Sequence, residues 1–342
     1  MTDPNADEVL IRTEGKLGRI TLNRPKQINA LTLDMVTLVR AALAAWRVDQ
    51  QVQLVLIDGA GERGLCAGAD IRLLHQGVSG EAGDPLDFLR DEYRMNSELA
   101  HYPKPVVAYM NGLTLGGGVG ISGHCSVRIV TETSQVGMPE TAIGLSPDVG
   151  GLYLLSRAPG ELGTHAALTG ARFGPADAIG AGLADYFVPS DELAELTSRL
   201  RTGVLPDFGT RVPTGELFAN RDWIDGCYAG DDVGAMIAAL LARPEPAAAA
   251  AAGTLAKMSP TALKVTLQAI RRAVSMTIDE VLDQDLRVGS RFLVHPDLTE
   301  GIRAQIIDKD RRPRWRPASL AEVTAARVNE FFSPLGAAPP LA

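Results

Sequence analysis

Two kinds of group suited to chemistry lie between residues 111 and 151: a run of glycines and two acidic side chains. The triplet Gly116-Gly117-Gly118 follows the apolar run 106–110, which is typical of a buried strand. Glycines there present bare backbone N–H groups at a helix start, where an anion or a developing oxyanion is stabilised. Glu140 and Asp148 follow on sequence typical of loops. This stretch is the candidate centre of the protein.

A second loop, Cys66-Ala67-Gly68-Ala69-Asp70, also follows a strand-like apolar run, residues 54–57. If the N–H groups of both loops converged, they would polarise a carbonyl group, and losing one such donor costs about 3 kcal/mol. Glycine turns also serve close packing, so either loop alone supports both interpretations. Whether the loops converge is left open by the sequence.

Composition excludes several classes of protein. The 342 residues are 46% hydrophobic, enough for one sizeable core and a smaller second subdomain, and the net charge of −8 argues against sequence-independent nucleic-acid binding. The acidic N-terminus lacks the features of a signal peptide, and no apolar run approaches the roughly 20 residues of a membrane span. Three widely spaced cysteines, Cys66, Cys125 and Cys227, suit a reducing cytoplasm and have no metal-ligand spacing. We expect a cytoplasmic protein without nucleic-acid or membrane partners.

Hydrophobic periodicity predicts the elements that must position the two loops. Residues 8–23 form a hairpin signal around Gly15, and an amphipathic helix with Thr32 as its cap follows. Residues 77–85 are polar and glycine-containing and are expected to be a flexible insertion. The other expected elements are strands at 54–57, 106–110, 127–130, 135–138 and 184–188, and helices at 86–100, 152–168 and 175–182. Their order predicts an α/β fold with a mixed sheet and covering helices.

The C-terminal part is predicted to be helical. Signals are weak over 203–256, but Ser259-Pro260 is a good helix start, and a further helical period spans 278–292. We expect a core at 8–200, a variable connecting segment at 201–256 and a helical subdomain at 257–330. The last ten residues are expected to fray.

Several motifs together resemble the crotonase, or enoyl-CoA hydratase/isomerase, superfamily over residues 8–200. They are Asn23-Arg24-Pro25, Asn29-Ala30-Leu31, Cys66 to Ile71, Pro105 to Gly118 and Met138-Pro139-Glu140. The resemblance implies a spiral of ββα units and an acyl-CoA ligand, with no separate cofactor and no metal. It also implies that Ala69 and Gly117 hold the thioester oxygen, that Gly68, Asp70 and Gly116 line the substrate, and that the protein is a homo-oligomer such as a trimer.

The acidic positions resemble one branch of this superfamily. A typical hydratase has a glutamate two residues after the glycine triplet, where this chain has Gly120, whereas Glu140 is retained and Asp148 is an added acid. This pattern is similar to the 3-hydroxyisobutyryl-CoA hydrolases, which implies release of CoA from a short 3-hydroxyacyl-CoA in valine breakdown. By the same resemblance Glu140 attacks the thioester or activates water, Asp148 orients Glu140 or binds the substrate hydroxyl, and Glu92 contacts the acyl end.

Plainer interpretations of these acids stay open. Asp148 is also typical of a turn after proline, Glu140 of a helix N-terminus, and Glu92 of a solvated or paired helix face. The alternative functions are a hydratase or isomerase that uses Glu140 alone or with Asp148, and a non-catalytic acyl-CoA binding protein. Gly120 argues against the first, and the retained Glu140 argues against the second.

Overall fold

The chain begins with the β-hairpin that its alternating pattern predicts. In this computed structural model, which describes residues 8–78, 80, 83–209 and 215–335, β1 (Val9–Glu14) pairs antiparallel with β2 (Leu17–Leu22). Gly15 occupies the turn with a φ of +66°, which is available to glycine without steric cost. A side chain there would also meet the carbonyl oxygen of Arg201. The hairpin prediction is confirmed.

A largely parallel sheet continues from the hairpin. The remaining described strands are β3 (Leu54–Gly59), β4 (Val106–Tyr109), β5 (Leu113–Leu115), β6 (Val127–Val130), β7 (Gln135–Gly137), β8 (Arg172–Phe173) and β9 (Tyr186–Phe187). Within the described residues the main sheet has the order β1-β2-β3-β4-β6-β9, and its pairs from β2 onward are parallel. The short strands form a second sheet in the order β5-β7-β8. Strands β3 and β4 are almost wholly buried, as continuous apolar runs in parallel sheets require.

Helices occupy the connections and most of the C-terminal part. The described α-helices are α1 (Leu33–Val48), α2 (Ile71–Val78), α3 (Pro85–Ala100), α4 (Gly117–Gly123), α5 (Gly151–Leu155), α6 (Leu162–Thr169), α7 (Pro175–Gly180), α8 (Leu193–Leu200), α9 (Arg221–Tyr228), α10 (Val233–Leu241), α11 (Pro246–Leu255), α12 (Pro260–Ala273), α13 (Ile278–Leu293), α14 (Pro296–Ile302) and α15 (Ala325–Glu330). A short 3₁₀ helix spans Glu140–Ile143.

The described residues divide into two compact units. Unit 1 takes those of 1–70, 91–136 and 173–215, and unit 2 takes those of 71–90, 137–172 and 216–342. Unit 1 contains the main sheet, whose core includes Leu17, Leu56 and Ile129. In unit 2, α12 packs against α5 and α6. The three sequential regions expected from the sequence stay a prediction.

Two helix starts are where the sequence places them. The Thr32 hydroxyl accepts the Met35 N–H (3.2 Å), and the Ser259 hydroxyl accepts the Ala262 N–H (3.0 Å), with Pro260 at the first helical position. These bonds satisfy N–H groups that have no partner inside their helices. Both signals are local, which is why they could be read without the tertiary structure.

Other expectations need correction. The helical signal predicted at 152–168 corresponds to two helices, α5 and α6, rather than to a continuous one. The chain breaks between them because Pro159 lacks an N–H, Gly160 has a φ of +59°, and the Asp225 carboxylate accepts the Glu161 N–H. Helices α2 and α8 and strands β5 and β8 were not predicted. The insertion expected at 77–85 overlaps the end of α2 and the start of α3, while residues 79, 81 and 82 lie outside the described residues, as do 1–7 and 336–342 of the termini.

Candidate active site

The turn that ends in Asp70 is held by backbone hydrogen bonds within unit 1. Leu31 donates its N–H to the Gly68 carbonyl (2.8 Å), and Asp70 donates its N–H to the Leu31 carbonyl (2.8 Å). Gly68 has a φ of +105°, a conformation that L side chains rarely adopt. Between these bonds, the Ala69 N–H donates to no acceptor within the described part of the chain. The turn therefore fixes one uncommitted donor.

The glycine triplet fixes a second donor in the same unit. Gly116 precedes α4 with a φ of +53°, and its carbonyl accepts the N–H groups of Val119 (2.7 Å) and Gly120 (3.1 Å). Gly117 is the first helical residue, a position whose N–H has no partner inside the helix. Among the described residues no acceptor takes it.

The two turns converge. A Cβ atom at Gly117 would lie 3.3 Å from the Ala69 nitrogen, and a Cβ at Gly68 would lie 3.5 Å from the Gly117 nitrogen. The two backbone nitrogens are therefore neighbours, and the lack of side chains at both glycines keeps the space between the turns open. This juxtaposition is what two donors to one carbonyl oxygen require.

Glu92 lies beside this pair of donors. Its side chain, on α3, is 1% exposed, and its Oε1 is the atom that a Cβ on Gly117 would strike first. The solvated form of the plain interpretation of Glu92 is thus wrong, and the paired form stays open. A carboxylate at this position can meet a polar group on a molecule bound at the two N–H groups.

Unit 2 contains the two predicted acids. Glu140 begins the 3₁₀ helix after Pro139 and is 7% exposed, and Asp148 is 9% exposed. The pKa of Glu140 is raised well above its ordinary value, first by burial and then by the charge of Asp148. Its own backbone N–H opposes this rise, and Asp285 adds to it. Glu140 Oε2 accepts no hydrogen bond from the described residues. The acids thus form one coupled, buried group.

Asp285 is a third member of this group, and it was missed by the sequence analysis. It is 3% exposed on α13, and its Oδ2 accepts the Gly150 N–H at 2.9 Å. Burial, and then the charge of Asp148, raise the pKa of Asp285 well above its ordinary value, while the Gly150 hydrogen bond lowers it. A signal existed: Asp285 falls on the apolar face of its helix, four residues after Val281 and three before Val288.

The loop after Asp148 has an unusual backbone. Val149 has a φ of +52° and Gly150 a φ of +71°, and the Asp148 carbonyl accepts the Gly151 N–H at 2.7 Å. A left-handed conformation costs a residue with a Cβ about 1–2 kcal/mol, and it is rare for β-branched side chains. Strain of this kind persists only where surrounding contacts determine the conformation.

Comparison with known proteins identifies the family. A family model described as enoyl-CoA hydratase/isomerase matches residues 17–332. The chain belongs to this family. The 3-hydroxyisobutyryl-CoA hydrolase, mitochondrial, of Homo sapiens is 40% identical over 97% of this chain and 90% of that protein. The protein of the same name from Gallus gallus is 38% identical over 98% and 91%.

Solved structures show the same fold. A crystal structure described as a carnitinyl-CoA dehydratase from Mycobacterium thermoresistibile has a TM-score of 0.94 and 48% identity and covers 98% of both chains. One described as an enoyl-CoA hydratase from Rhodobacter sphaeroides has a TM-score of 0.92 and 48% identity and covers 96% of this chain and 98% of that one. The predicted crotonase-type α/β fold is confirmed.

Asp70, which the family resemblance places beside the substrate, is held by Arg24. The Asp70 carboxylate forms an ion pair with Arg24 (2.9 Å), whose guanidinium also donates to the Ala30 carbonyl (2.5 Å). Arg24, of the Asn23-Arg24-Pro25 motif, thus anchors the Asp70 turn. A substrate contact by Asp70 stays a prediction.

The cysteine and histidine side chains do not supply further catalytic groups. Burial raises the pKa of the Cys66 thiol to about 12, so it stays neutral, as expected of a small buried side chain. Burial lowers the pKa of His165 to about 4. Within the described residues no cluster of His, Cys, Asp or Glu has the arrangement of a metal site. No helix in that part of the chain combines the length and apolar character that a bilayer crossing requires.

Proposed function

We propose that this protein hydrolyses the thioester of 3-hydroxyisobutyryl-CoA, or of a related short 3-hydroxyacyl-CoA, and releases free CoA. The hydrolase prediction is supported by relatives of that name that match nearly the whole chain. The observation that carries the proposal in the structure is the buried pair of Glu140 and Asp148, combined with Gly120 at the place where a hydratase has its first acid.

The backbone donors have one role in this proposal. The N–H groups of Ala69 and Gly117 hold the thioester oxygen and stabilise the negative charge that develops on it. This role is supported by their juxtaposition and by their lack of other acceptors within the described residues. Each donor of such a pair is worth about 3 kcal/mol of transition-state stabilisation. Gly68 and Gly116 keep the approach to them open, and Glu92 contacts the acyl end.

Glu140 supplies the reactive carboxylate by one of two routes. In the first, its oxygen bonds to the carbonyl carbon and the C–S bond breaks, so that CoA leaves as a thiolate and takes up a proton; water then cleaves the mixed anhydride. In the second, Glu140 takes a proton from a water molecule whose oxygen bonds to the carbonyl carbon; the C–S bond then breaks, and CoA leaves as a thiolate that takes up the proton from Glu140. Asp148 holds Glu140 or the substrate hydroxyl. The raised pKa of Glu140 favours either route, because a more basic carboxylate is a better nucleophile and a better base.

Hydration is the second candidate, because the two solved structures at 48% identity are described as a dehydratase and a hydratase. Gly120 weighs against it, because the glutamate that a typical hydratase has at this position is missing. The finer assignments of the proposal are a place in valine breakdown, a cytoplasmic location, a homo-oligomeric state and CoA as part of the substrate rather than a cofactor. They follow from the sequence and the resemblance.

One assay separates the candidates. Purified protein is incubated with 3-hydroxyisobutyryl-CoA and, separately, with crotonyl-CoA, while free thiol and the absorbance of the conjugated thioester are followed. The proposal expects thiol release from the first substrate and little loss of absorbance with the second. Absence of thiol release from the wild-type protein, together with rapid hydration, would replace the hydrolase proposal with the hydratase one.

A further inference from the structure

The buried Asp285 is tied to the loop that carries Asp148. Its Oδ2 accepts the Gly150 N–H at 2.9 Å, although the two residues are 135 positions apart in the sequence. On the same face of α13 the neighbouring positions are apolar, among them Val281 and Val288, so packing alone does not call for an acid. A buried carboxylate is unfavourable unless hydrogen bonds compensate it. The contact with Gly150 is the compensation that the structure provides.

The hydrogen bond to Asp285 reaches the loop at its left-handed residues. Val149 and Gly150 are consecutive left-handed residues, and the Gly151 N–H closes the turn onto the Asp148 carbonyl. The Gly150 N–H precedes α5 and is directed away from that turn, to Asp285. Without an acceptor there, a buried N–H would lose its partner and the strained loop would lose an external anchor.

The charged side chains that shift the pKa values of Asp285 and Glu140 are all acidic. Asp148, from the loop before α5, acts on Asp285, and both Asp148 and Asp285 act on Glu140 from its neighbouring segments. Within the described residues no basic side chain contributes to the pKa of Glu140 or Asp285. Asp285 can therefore influence Glu140 in two ways, through the loop and through its charge.

We infer that Asp285 is a positioning residue for hydrolysis: its carboxylate anchors the loop at Gly150 and holds Asp148 in place. Its charge also acts on Glu140. The inference rests on the proposed hydrolase function. It gives α13, in the C-terminal part of the chain, a role in positioning the loop that carries Asp148. Asp285 itself does not touch the reacting atoms.

Three variants of the full chain test this inference. Asp285→Ala removes both the acceptor and the charge, and Asp285→Asn keeps an acceptor oxygen and removes only the charge. Asp283→Asn is the matched control, because it lies on the same helix two residues away, on a different face. Steady-state kcat and KM for 3-hydroxyisobutyryl-CoA are measured across pH, together with the Tm of each variant.

The inference expects a different signature from each variant. Asp285→Ala lowers kcat about 10- to 100-fold through misplacement of Asp148, with KM little changed. Asp285→Asn recovers most of that loss, and the acid limb of its pH profile moves to lower pH, because removal of a negative charge lowers the pKa of Glu140. Asp283→Asn leaves kcat and the profile as in the wild type.

Several results would overturn the inference. One is an unchanged kcat in Asp285→Ala, and another is an equal loss of kcat in Asp285→Ala and Asp285→Asn. A third is a pH profile of Asp285→Asn whose acid limb coincides with that of Asp283→Asn. If Asp285→Ala does not fold, the comparison of the acid limbs of Asp285→Asn and Asp283→Asn decides. A wild-type protein that releases no thiol would overturn the proposed function and this inference with it. Release by the wild type with an unaffected Asp285→Ala would overturn only the inference.

Discussion

The two candidate regions use different parts of the polypeptide. In unit 1 the functional groups are backbone N–H groups of Ala69 and Gly117, fixed by turns and by the absence of side chains. In unit 2 they are the side chains of Glu140, Asp148 and Asp285, and burial together with their mutual repulsion sets their behaviour. One region depends on backbone geometry, and the other depends on charge.

This difference determines how each region should fail. An N–H donor does not titrate, so the turns of unit 1 are sensitive to added volume rather than to pH. Buried carboxylates respond to pH and to each other, and their neutral isosteres change the shape of unit 2 very little. Substitutions that add volume and substitutions that remove charge should therefore give separable results.

Loss of the Glu140 charge is expected to have the largest effect. Glu140→Gln keeps the volume but can neither attack the thioester nor accept a proton from water, so kcat should fall about 10³-fold. The Tm should be unchanged or higher, since a buried acid that repels Asp148 becomes neutral. The measurements are thiol release and thermal unfolding, with Glu195→Gln as an exposed control. Undiminished thiol release in folded Glu140→Gln would exclude Glu140 as the reactive group.

Added volume at Gly117 should have the next largest effect. In Gly117→Ala the new Cβ would collide with Glu92 Oε1 and crowd the Ala69 nitrogen, so kcat/KM should fall about 10²-fold. Gly253→Ala, in α11, is the matched control, because a Cβ there meets nothing within 4 Å, and alanine should slightly stabilise that helix. A Gly117→Ala protein as active as the Gly253→Ala control would show that the turns of unit 1 do not hold the substrate.

The sequence was informative wherever the determining contacts are local. Thr32 and Ser259 cap their helices through bonds to residues three positions away, and both could be predicted. The acids Glu140 and Asp148 were found because family motifs mark them. The role of Asp285 was not, because its partner Gly150 is 135 positions distant and only the folded chain brings them together.

The convergence of the two turns was likewise beyond the sequence. It depends on hydrogen bonds between the Cys66 turn and β5, a three-residue strand too short to predict. Leu115 donates its N–H to the Cys66 carbonyl, and Cys66 donates its N–H to the Leu113 carbonyl. Glycine content predicted that each turn could expose an N–H group, but only tertiary pairing shows that the two groups are neighbours.

The charge-based region predicts a pH dependence of stability. The pKa values of Glu140 and Asp285 are raised above their ordinary values of 4.5 and 3.8, so these acids bind protons in the folded protein at pH values where the unfolded chain has released them. Their contribution to stability is complete below the ordinary values and is lost as the pH rises through the raised ones. The Tm advantage of Asp285→Asn over the wild type should therefore grow as the pH rises above the ordinary value of 3.8.

The control for this titration is again Asp283→Asn. Its Tm should run parallel to that of the wild type over the same pH range, because the substitution removes a charge outside the buried group. A constant difference between Asp285→Asn and the wild type would mean that Asp285 is ionised in the folded protein throughout. That result would contradict the charge-based description of unit 2.

The smallest expected effect is that Cys66 is not alkylated. This tests whether the Cys66 turn of unit 1 is formed before a substrate binds. Burial raises the pKa of both Cys66 and Cys125 to about 12, so at pH 8 the thiolate fraction is on the order of 10⁻⁴, and reagent access is blocked as well. Neither cysteine should be alkylated in the folded protein when peptides are followed by mass spectrometry. Equal modification of both would indicate global unfolding, whereas modification of Cys66 alone would mean that its turn opens. In that case the Ala69 N–H would not be held in place before the substrate binds. The turn of unit 1 would then take up its geometry only on substrate binding, whereas the acids of unit 2 are fixed by burial.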